Sequence, residues 1–137
     1  MIRFQTSFPV RYYECDPMGI VHHSNYLRYF ECARDEMISS WGYGIEQCQA
    51  GGITFPVVKA ELRFHRPAVS GDVITVMAEI SEMPLAKLVV AQKVLNARGE
   101  LCCEGTVTLG FLSAATGRPT RCPEKMLSLL EAAWTEE

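Results

Sequence analysis

The stretch "SNYLRYFECARDEMISSWG", Ser24 to Gly42, predicts one long helix that is apolar around much of its circumference. Five apolar residues recur at helical spacing: Tyr26, Phe30, Ala33, Met37 and Trp41. Three neighbouring residues widen this apolar face: Leu27, Tyr29 and Ile38. Ser24 or Asn25 can cap the first turn, and Gly42 can end the helix. A helix with so wide an apolar face should be largely buried, so the rest of the chain must cover it.

Five other segments predict β-strands: "IRFQTSFPVRYY" before the helix, then "VVKAELRFHRP", "VITVMAEI", "KLVVAQKVL" and "LCCEGTVTLGFL" after it. In "VVKAELRFHRP" apolar and polar residues alternate, as in a strand with one face exposed to solvent. The apolar residues are Val58, Ala60, Leu62 and Phe64, and the polar ones are Lys59, Glu61, Arg63 and His65. Short links between the later strands predict an antiparallel meander. We therefore expect an α+β fold, with the helix in the concave face of a five-stranded sheet, as a single domain over residues 1–137.

Composition excludes several classes of protein. A formal net charge of −3 argues against nucleic acid as a bulk electrostatic partner. No segment has the pattern of a signal peptide or a membrane span, so we expect a cytoplasmic protein without membrane insertion. None of the six cysteines forms a C-x-x-C pair, and we expect them to be reduced and mostly buried.

The segment before the helix, "YECDPMGIVHHSN", concentrates residues that carry chemistry. Asp16, His22 and His23, with Cys15 or Cys32, are residue types that bind zinc. The spacing is poor for a metal, because the two histidines are neighbours and no second histidine follows at i+4. We expect no metal site.

Two candidate nucleophiles in this segment are weak. Ser24 lies beside histidines but lacks a G-x-S-x-G elbow, so a capping role is favoured. Cys15 precedes Asp16, and a neighbouring acid disfavours the thiolate.

Asp16 allows two interpretations. "DPMG" is typical of a turn, in which Asp16 would be a structural Asx-turn residue. A carboxylate just before a helix also lies near the positive end of the helix dipole. Unpaired backbone N–H groups at that helix start could hold a carbonyl oxygen as it becomes negative. The residues alone leave both interpretations open.

A family resemblance favours the second interpretation. "CDPMGIVHHSNYLRYFECAR" resembles the active-site signature of the hot-dog-fold acyl-CoA thioesterases of the 4-hydroxybenzoyl-CoA thioesterase class, which includes the Tol-Pal-associated acyl-CoA thioesterases. The matching positions are Asp16, Gly19, Ile20, Val21, Asn25 and Tyr26. "FHRPAVSGDVI" resembles the family's second recurrent stretch, and the resemblance spans nearly the whole chain.

The resemblance implies an acyl-CoA thioesterase with a hot-dog fold. Asp16 would be the catalytic nucleophile or general base, and backbone N–H groups near His22 and His23 would polarise the thioester carbonyl. His23 recurs in the Tol-Pal-associated branch, whereas an aromatic residue is usual at the position of His22. His23 would join Asp16 in catalysis, and His22, Asn25 and Tyr26 would contribute to substrate binding. The chemistry needs no cofactor, and the family builds its site between subunits of a homodimer or homotetramer.

The CoA phosphates require local positive charge on a protein of net charge −3. We expect Arg63 and Arg66 near the end of one strand, and Lys87 at the start of another, to supply it.

Three alternatives stay open from the sequence. The acyl group could be aryl or a short to medium alkyl chain. A hot-dog hydratase or dehydratase would use Asp16 and His23 as an acid–base pair. A non-catalytic acyl-CoA-binding module would bind the same ligand without turnover.

Overall fold

The computed structural model describes residues 1–136 and has one long helix packed against an antiparallel sheet. The helices are α1 (Asn25–Ser40), α2 (Ile45–Ala50) and α3 (Glu124–Ala133), and a 3₁₀ turn covers Tyr12–Glu14. The strands are β1 (Ile2–Pro9), β2 (Ile53–Thr54), β3 (Val57–Phe64), β4 (Val73–Ile80), β5 (Lys87–Leu95), β6 (Leu101–Gly110) and β7 (Leu112–Ser113). The predicted α+β class, long helix and five-stranded antiparallel sheet are confirmed; the short β2–β7 pair was not predicted.

The order of the main sheet is β1-β4-β5-β6-β3. The predicted meander holds for β4, β5 and β6, but it is wrong for β3, which pairs with β6 at the far edge. The link 65–72 crosses from Phe64 to Val73, past the ends of β6 and β5. Eight residues reach about 26 Å when extended, whereas three strand spacings are about 14 Å. A short link therefore does not require neighbouring strands.

Helix α1 buries the predicted face against β1, β4 and β5. Phe30 and Ala33 are fully buried, as Met37 nearly is, and the helix ends just before Trp41 and Gly42. The prediction of a side-chain cap is wrong. Ser24 occupies the N-cap position, but its Oγ lies 2.8 Å from His22 Nδ1, and Asn25 donates to the Glu14 carbonyl instead.

The cysteines follow the prediction in their burial. Cys48, Cys102, Cys103 and Cys122 are buried, Cys15 is half-buried and Cys32 is exposed, and all six are free thiols. No helix within residues 1–136 combines the length and the hydropathy needed to cross a lipid bilayer.

Candidate active site

A cavity of about 280 Å³ lies where the start of α1 meets the end of β3. Most of its lining comes from the loop before α1 and from the residues that follow β3: Asp16, Ile20, Val21, His22, His23, Tyr26, Phe64, His65, Arg66 and Pro67. The structure thus brings Asp16, His22, His23, Tyr26 and Arg66, five of the candidate site residues, to one place.

Asp16 begins a tight turn at the lining of this cavity. Its Oδ1 accepts a hydrogen bond from the Met18 amide at 2.8 Å, and its backbone carbonyl accepts one from the Gly19 amide at 2.9 Å. Gly19 adopts a φ of +80°, which favours glycine. The Asp16 Oδ2 accepts no hydrogen bond from residues 1–136. The Asx turn is therefore present, and it leaves one carboxylate oxygen available for chemistry.

The start of α1 presents a free backbone donor. The amide of His22 donates to the Glu14 carbonyl at 3.0 Å, and the amide of Asn25 donates to the His22 carbonyl at 2.9 Å. The His23 amide between them has no acceptor in the part of the chain that the structure describes. An unpaired N–H at the positive end of a helix is suited to hold an oxygen that gains negative charge.

The rings of the two histidines are in contact. Their ring centroids lie 4.2 Å apart, and the His23 ring also meets the Phe64 ring edge-on at 6.5 Å. The Ser24 amide donates to His22 Nδ1 at 3.3 Å, so the proton of a neutral His22 ring is on Nε2. The contacts of Nδ1 with Ser24 hold the His22 ring, and its contact with the His23 ring restricts that ring in turn.

Tyr26 and Asn25 are more buried than a substrate-contacting role predicts. Tyr26 is 3% exposed, its hydroxyl accepts the Ala68 amide at 3.3 Å, and burial raises the pKa of its phenol. Asn25 is 8% exposed and donates from Nδ2 to the Glu14 carbonyl at 2.7 Å. Tyr26 nevertheless borders the cavity, whereas Asn25 points into the protein.

The predicted cations do not converge. Arg66 borders the cavity and lies 3.3 Å from Glu100. Arg63 precedes Phe64 on β3 and therefore faces the other side of the sheet, opposite Glu104. Lys87 begins β5, whereas the Val94 end of β5 pairs with Cys103 beside Phe64. Those ends are about 23 Å apart along the strand, so one chain does not bring Lys87 to Asp16.

Other chemistry at this cavity is weak. Within residues 1–136, no three His, Cys, Asp or Glu side chains are grouped to hold a metal ion. Burial raises the pKa of the Cys15 thiol, and the neighbouring carboxylates of Glu14 and Asp16 raise it further. Cys15 is therefore a poor nucleophile, as its neighbours in the sequence indicated.

Sequence reasoning missed two residues of this region. Phe64 was predicted as part of the apolar face of a strand, yet it is 53% exposed and borders the cavity. Glu14 accepts bonds from both sides of the Asp16 turn, although no motif distinguishes it. Phe64 could have been recognised as a cavity residue only if β3 had been placed at the edge of the sheet. The length of the link after β3 does not show that placement.

Comparison with known proteins places this geometry in context. The family model described as "Thioesterase-like superfamily" matches residues 10–130. The acyl-CoA thioester hydrolase YbgC of Escherichia coli O6:H1 is 29% identical over 123 residues, which cover 88% of this chain and 92% of that protein. The acyl-CoA thioesterase YbgC of Helicobacter pylori strain 26695 is 28% identical over 131 residues, covering 90% and 96%.

Solved structures share the same architecture. The DHNA-CoA thioesterase of Staphylococcus aureus superposes with a TM-score of 0.87 at 27% identity, covering 96% of this chain and 89% of that one. The predicted hot-dog fold is confirmed by this likeness and by the sheet topology.

Proposed function

This chain belongs to the thioesterase-like superfamily, and on that premise we propose that it hydrolyses an acyl-CoA thioester to the free acid and CoA. One observation carries the proposal. The Asp16 carboxylate, with its free Oδ2, shares a cavity with His23, whose amide has no acceptor within residues 1–136. An acid and an oxyanion donor are the groups that thioester hydrolysis requires.

The reaction divides between these two groups. The thioester carbonyl oxygen accepts a hydrogen bond from the His23 amide, and it gains negative charge as the carbonyl carbon is attacked. Asp16 either attacks that carbon, giving a mixed anhydride that water opens, or takes a proton from an attacking water. In both cases the C–S bond breaks and CoA leaves as a thiolate, which takes a proton from Asp16 in the general-base route and from water in the nucleophile route.

The basic test is a panel of aryl and alkyl CoA thioesters at matched concentrations, read by release of free thiol. Turnover of at least one class supports the proposal and identifies the acyl group. An enoyl-CoA that loses its conjugated absorbance without thiol release would indicate a hydratase instead. Binding of CoA thioesters without either reaction would indicate a binding module.

Arg66 is the cation best placed to hold a CoA phosphate. The Arg66 side chain is mostly exposed, so its ion pair with Glu100 is weak and the guanidinium can move to an anion. Arg66→Ala should raise the KM for acyl-CoA about tenfold, equivalent to about 1.4 kcal/mol, with kcat nearly unchanged. Arg118→Ala, in the loop after β7 at the far end of the sheet, makes the same change in net charge and should change neither constant.

A phosphate role also predicts how that loss depends on substrate and salt. A pantetheine thioester without the nucleotide phosphates should show no Arg66→Ala effect, and the loss on acyl-CoA should shrink as salt rises. Equal losses on both substrates would contradict the assignment.

The protein is also proposed to form at least a homodimer through β3. The outer edge of this strand has no partner strand within residues 1–136, and its Val57, Val58 and Phe64 side chains are about half exposed. An open, apolar strand edge is suited to pair with a second copy. Antiparallel pairing would place the Val57 end of the second copy beside Phe64, at the margin of the cavity.

The charges on β3 limit the register of that pairing. Opposite residues of an antiparallel pair point to the same face, so like charges should not be placed opposite one another. A two-fold axis at Glu61 would oppose two Glu61 carboxylates and is disfavoured. An axis at Ala60 opposes Lys59 and Glu61 and places Val58 opposite Leu62. An axis at Leu62 also opposes Glu61 and Arg63, but it places Val58 opposite Arg66, beyond the end of the strand. We therefore propose the register centred on Ala60.

Val58→Glu should break this pairing, because Val58 is 53% exposed in the single chain and would lie opposite Leu62 of the second copy in this register. We expect sedimentation velocity to show monomers. Activity should be lost as well, because the second copy no longer borders the cavity. Val89→Glu makes the same change at a valine that is 50% exposed on an inner strand, and it should remain dimeric. A monomeric Val58→Glu protein with full activity would contradict a site between subunits.

A further inference from the structure

Glu14 accepts four hydrogen bonds, more than its place before the Asp16 turn would suggest. Its Oε1 accepts the Arg11 amide at 2.8 Å and the Tyr29 hydroxyl at 3.1 Å. Its backbone carbonyl accepts the His22 amide at 3.0 Å and the Asn25 side-chain amide at 2.7 Å. One residue therefore joins the chain before Asp16, the chain after it and the first turns of α1.

These bonds close the base of the loop that carries Asp16. Above Glu14, Cys15 forms a β-bridge with Val21, and the Asp16 amide donates to the Ile20 carbonyl at 2.9 Å. Asp16 thus sits at the tip of a small hairpin whose two ends meet at Glu14. The position of Asp16 relative to the His23 amide is set by how this hairpin is fixed to α1.

Tyr29 and Asn25 fix the hairpin from inside the protein. Tyr29 is 2% exposed and Asn25 is 8% exposed, and neither borders the cavity. Burial and the nearby Glu14 carboxylate raise the pKa of the Tyr29 phenol, so it keeps its proton and remains a donor. Both side chains therefore act on the Asp16 hairpin and not on a substrate.

We propose that Tyr29, Asn25 and Glu14 are positioning residues that hold the Asp16 carboxylate and the His23 amide at the spacing that catalysis needs. The inference rests on the proposed thioesterase function. It reassigns Asn25, which the sequence placed among the substrate-binding residues. A displacement of about 1 Å in a reacting group can cost about 10²-fold in rate, so hydrogen bonds remote from the substrate can control kcat.

Tyr29→Phe tests the proposal with little disturbance of packing. The ring contacts with Phe8 at 5.5 Å and Tyr26 at 5.8 Å are retained, and only the hydroxyl is lost. We expect kcat to fall about tenfold with KM within about twofold of wild type, since the transition state and not ground-state binding depends on the spacing. Tyr43→Phe removes the hydroxyl of another buried tyrosine, beyond the far end of α1, and should leave kcat unchanged.

A double-variant cycle shows whether Tyr29 acts through Glu14. Glu14→Ala should lower kcat at least as far as Tyr29→Phe, and Glu14→Gln, which keeps an oxygen acceptor, should recover most of it. In the Glu14→Ala background, Tyr29→Phe should have no further effect. If the kcat losses of the two single variants instead multiply in the double variant, Tyr29 acts independently of Glu14 and the proposal is overturned.

Amide hydrogen exchange provides a readout that does not depend on activity. In Tyr29→Phe the Asp16, Met18 and His22 amides, which are hydrogen-bonded in the hairpin, should exchange faster than in wild type, and Tyr43→Phe should leave them unchanged. Faster exchange in a protein that cleaves no thioester would retain the positioning role and reject the proposed function. Unchanged exchange together with unchanged kcat would reject the positioning role alone.

Discussion

Asp16→Asn protein is expected to release thiol from acyl-CoA at least about 10²-fold more slowly than wild type, with an unchanged fold. The amide can keep an oxygen toward the Met18 amide, so the turn is preserved. It has neither the charge to attack a thioester carbonyl nor the basicity to take a proton from water. The measurement is kcat by thiol release on whichever acyl-CoA wild type cleaves fastest.

A matched control separates the role of Asp16 from the loss of any turn aspartate. Asp72 also lies in a turn, where its amide donates to the Val69 carbonyl at 3.1 Å, and it does not border the cavity. Asp72→Asn should keep wild-type kcat. Wild-type turnover by Asp16→Asn would reject Asp16 as the essential carboxylate.

The two possible roles of Asp16 differ in where water oxygen enters. A general base directs water to the substrate carbon, so a single turnover in ¹⁸O-water labels the released acid. A nucleophile gives its own oxygen to the acid when water opens the anhydride at the Asp16 carbon, so the first acid released is unlabelled. Single-turnover mass spectrometry of the acid therefore distinguishes them.

The parts of the candidate site that could be grouped from the sequence are those that are close together along the chain. Asp16, His22 and His23 lie within eight residues of one another and directly before a helix with a strong apolar period. Local chain geometry is enough to bring such residues together. The Asx turn and the helix start then follow from residue type.

The remaining parts depend on strand order, which local patterns do not encode. Phe64 and Arg66 reach the cavity only because β3 crosses to the far edge of the sheet, and its link length allows either arrangement. Arg63 is a different case, because strand alternation alone places it on the opposite face from Phe64. That prediction could have been refined from the sequence.

Gly105→Ala is expected to lower the free energy of unfolding by about 3 kcal/mol, at the upper end of what overpacking costs. Gly105 lies on β6 opposite Leu62, and a Cβ there would overlap the Glu61 backbone carbonyl of β3. Backbone cannot rotate away as a side chain can, so β3 must move off β6 and weaken its hydrogen bonds. Because β3 carries Phe64 and the proposed dimer edge, activity and dimer content should fall along with stability.

Gly110→Ala on the same strand is the matched control. A Cβ at Gly110 would meet only the Val58 Cγ1 at 3.2 Å, and that side chain is exposed and able to move. Urea unfolding of both variants should therefore show a large loss for Gly105→Ala and less than about 1 kcal/mol for Gly110→Ala. Similar losses in the two variants would mean that the close approach of β3 to β6 does not hold this edge of the sheet in place.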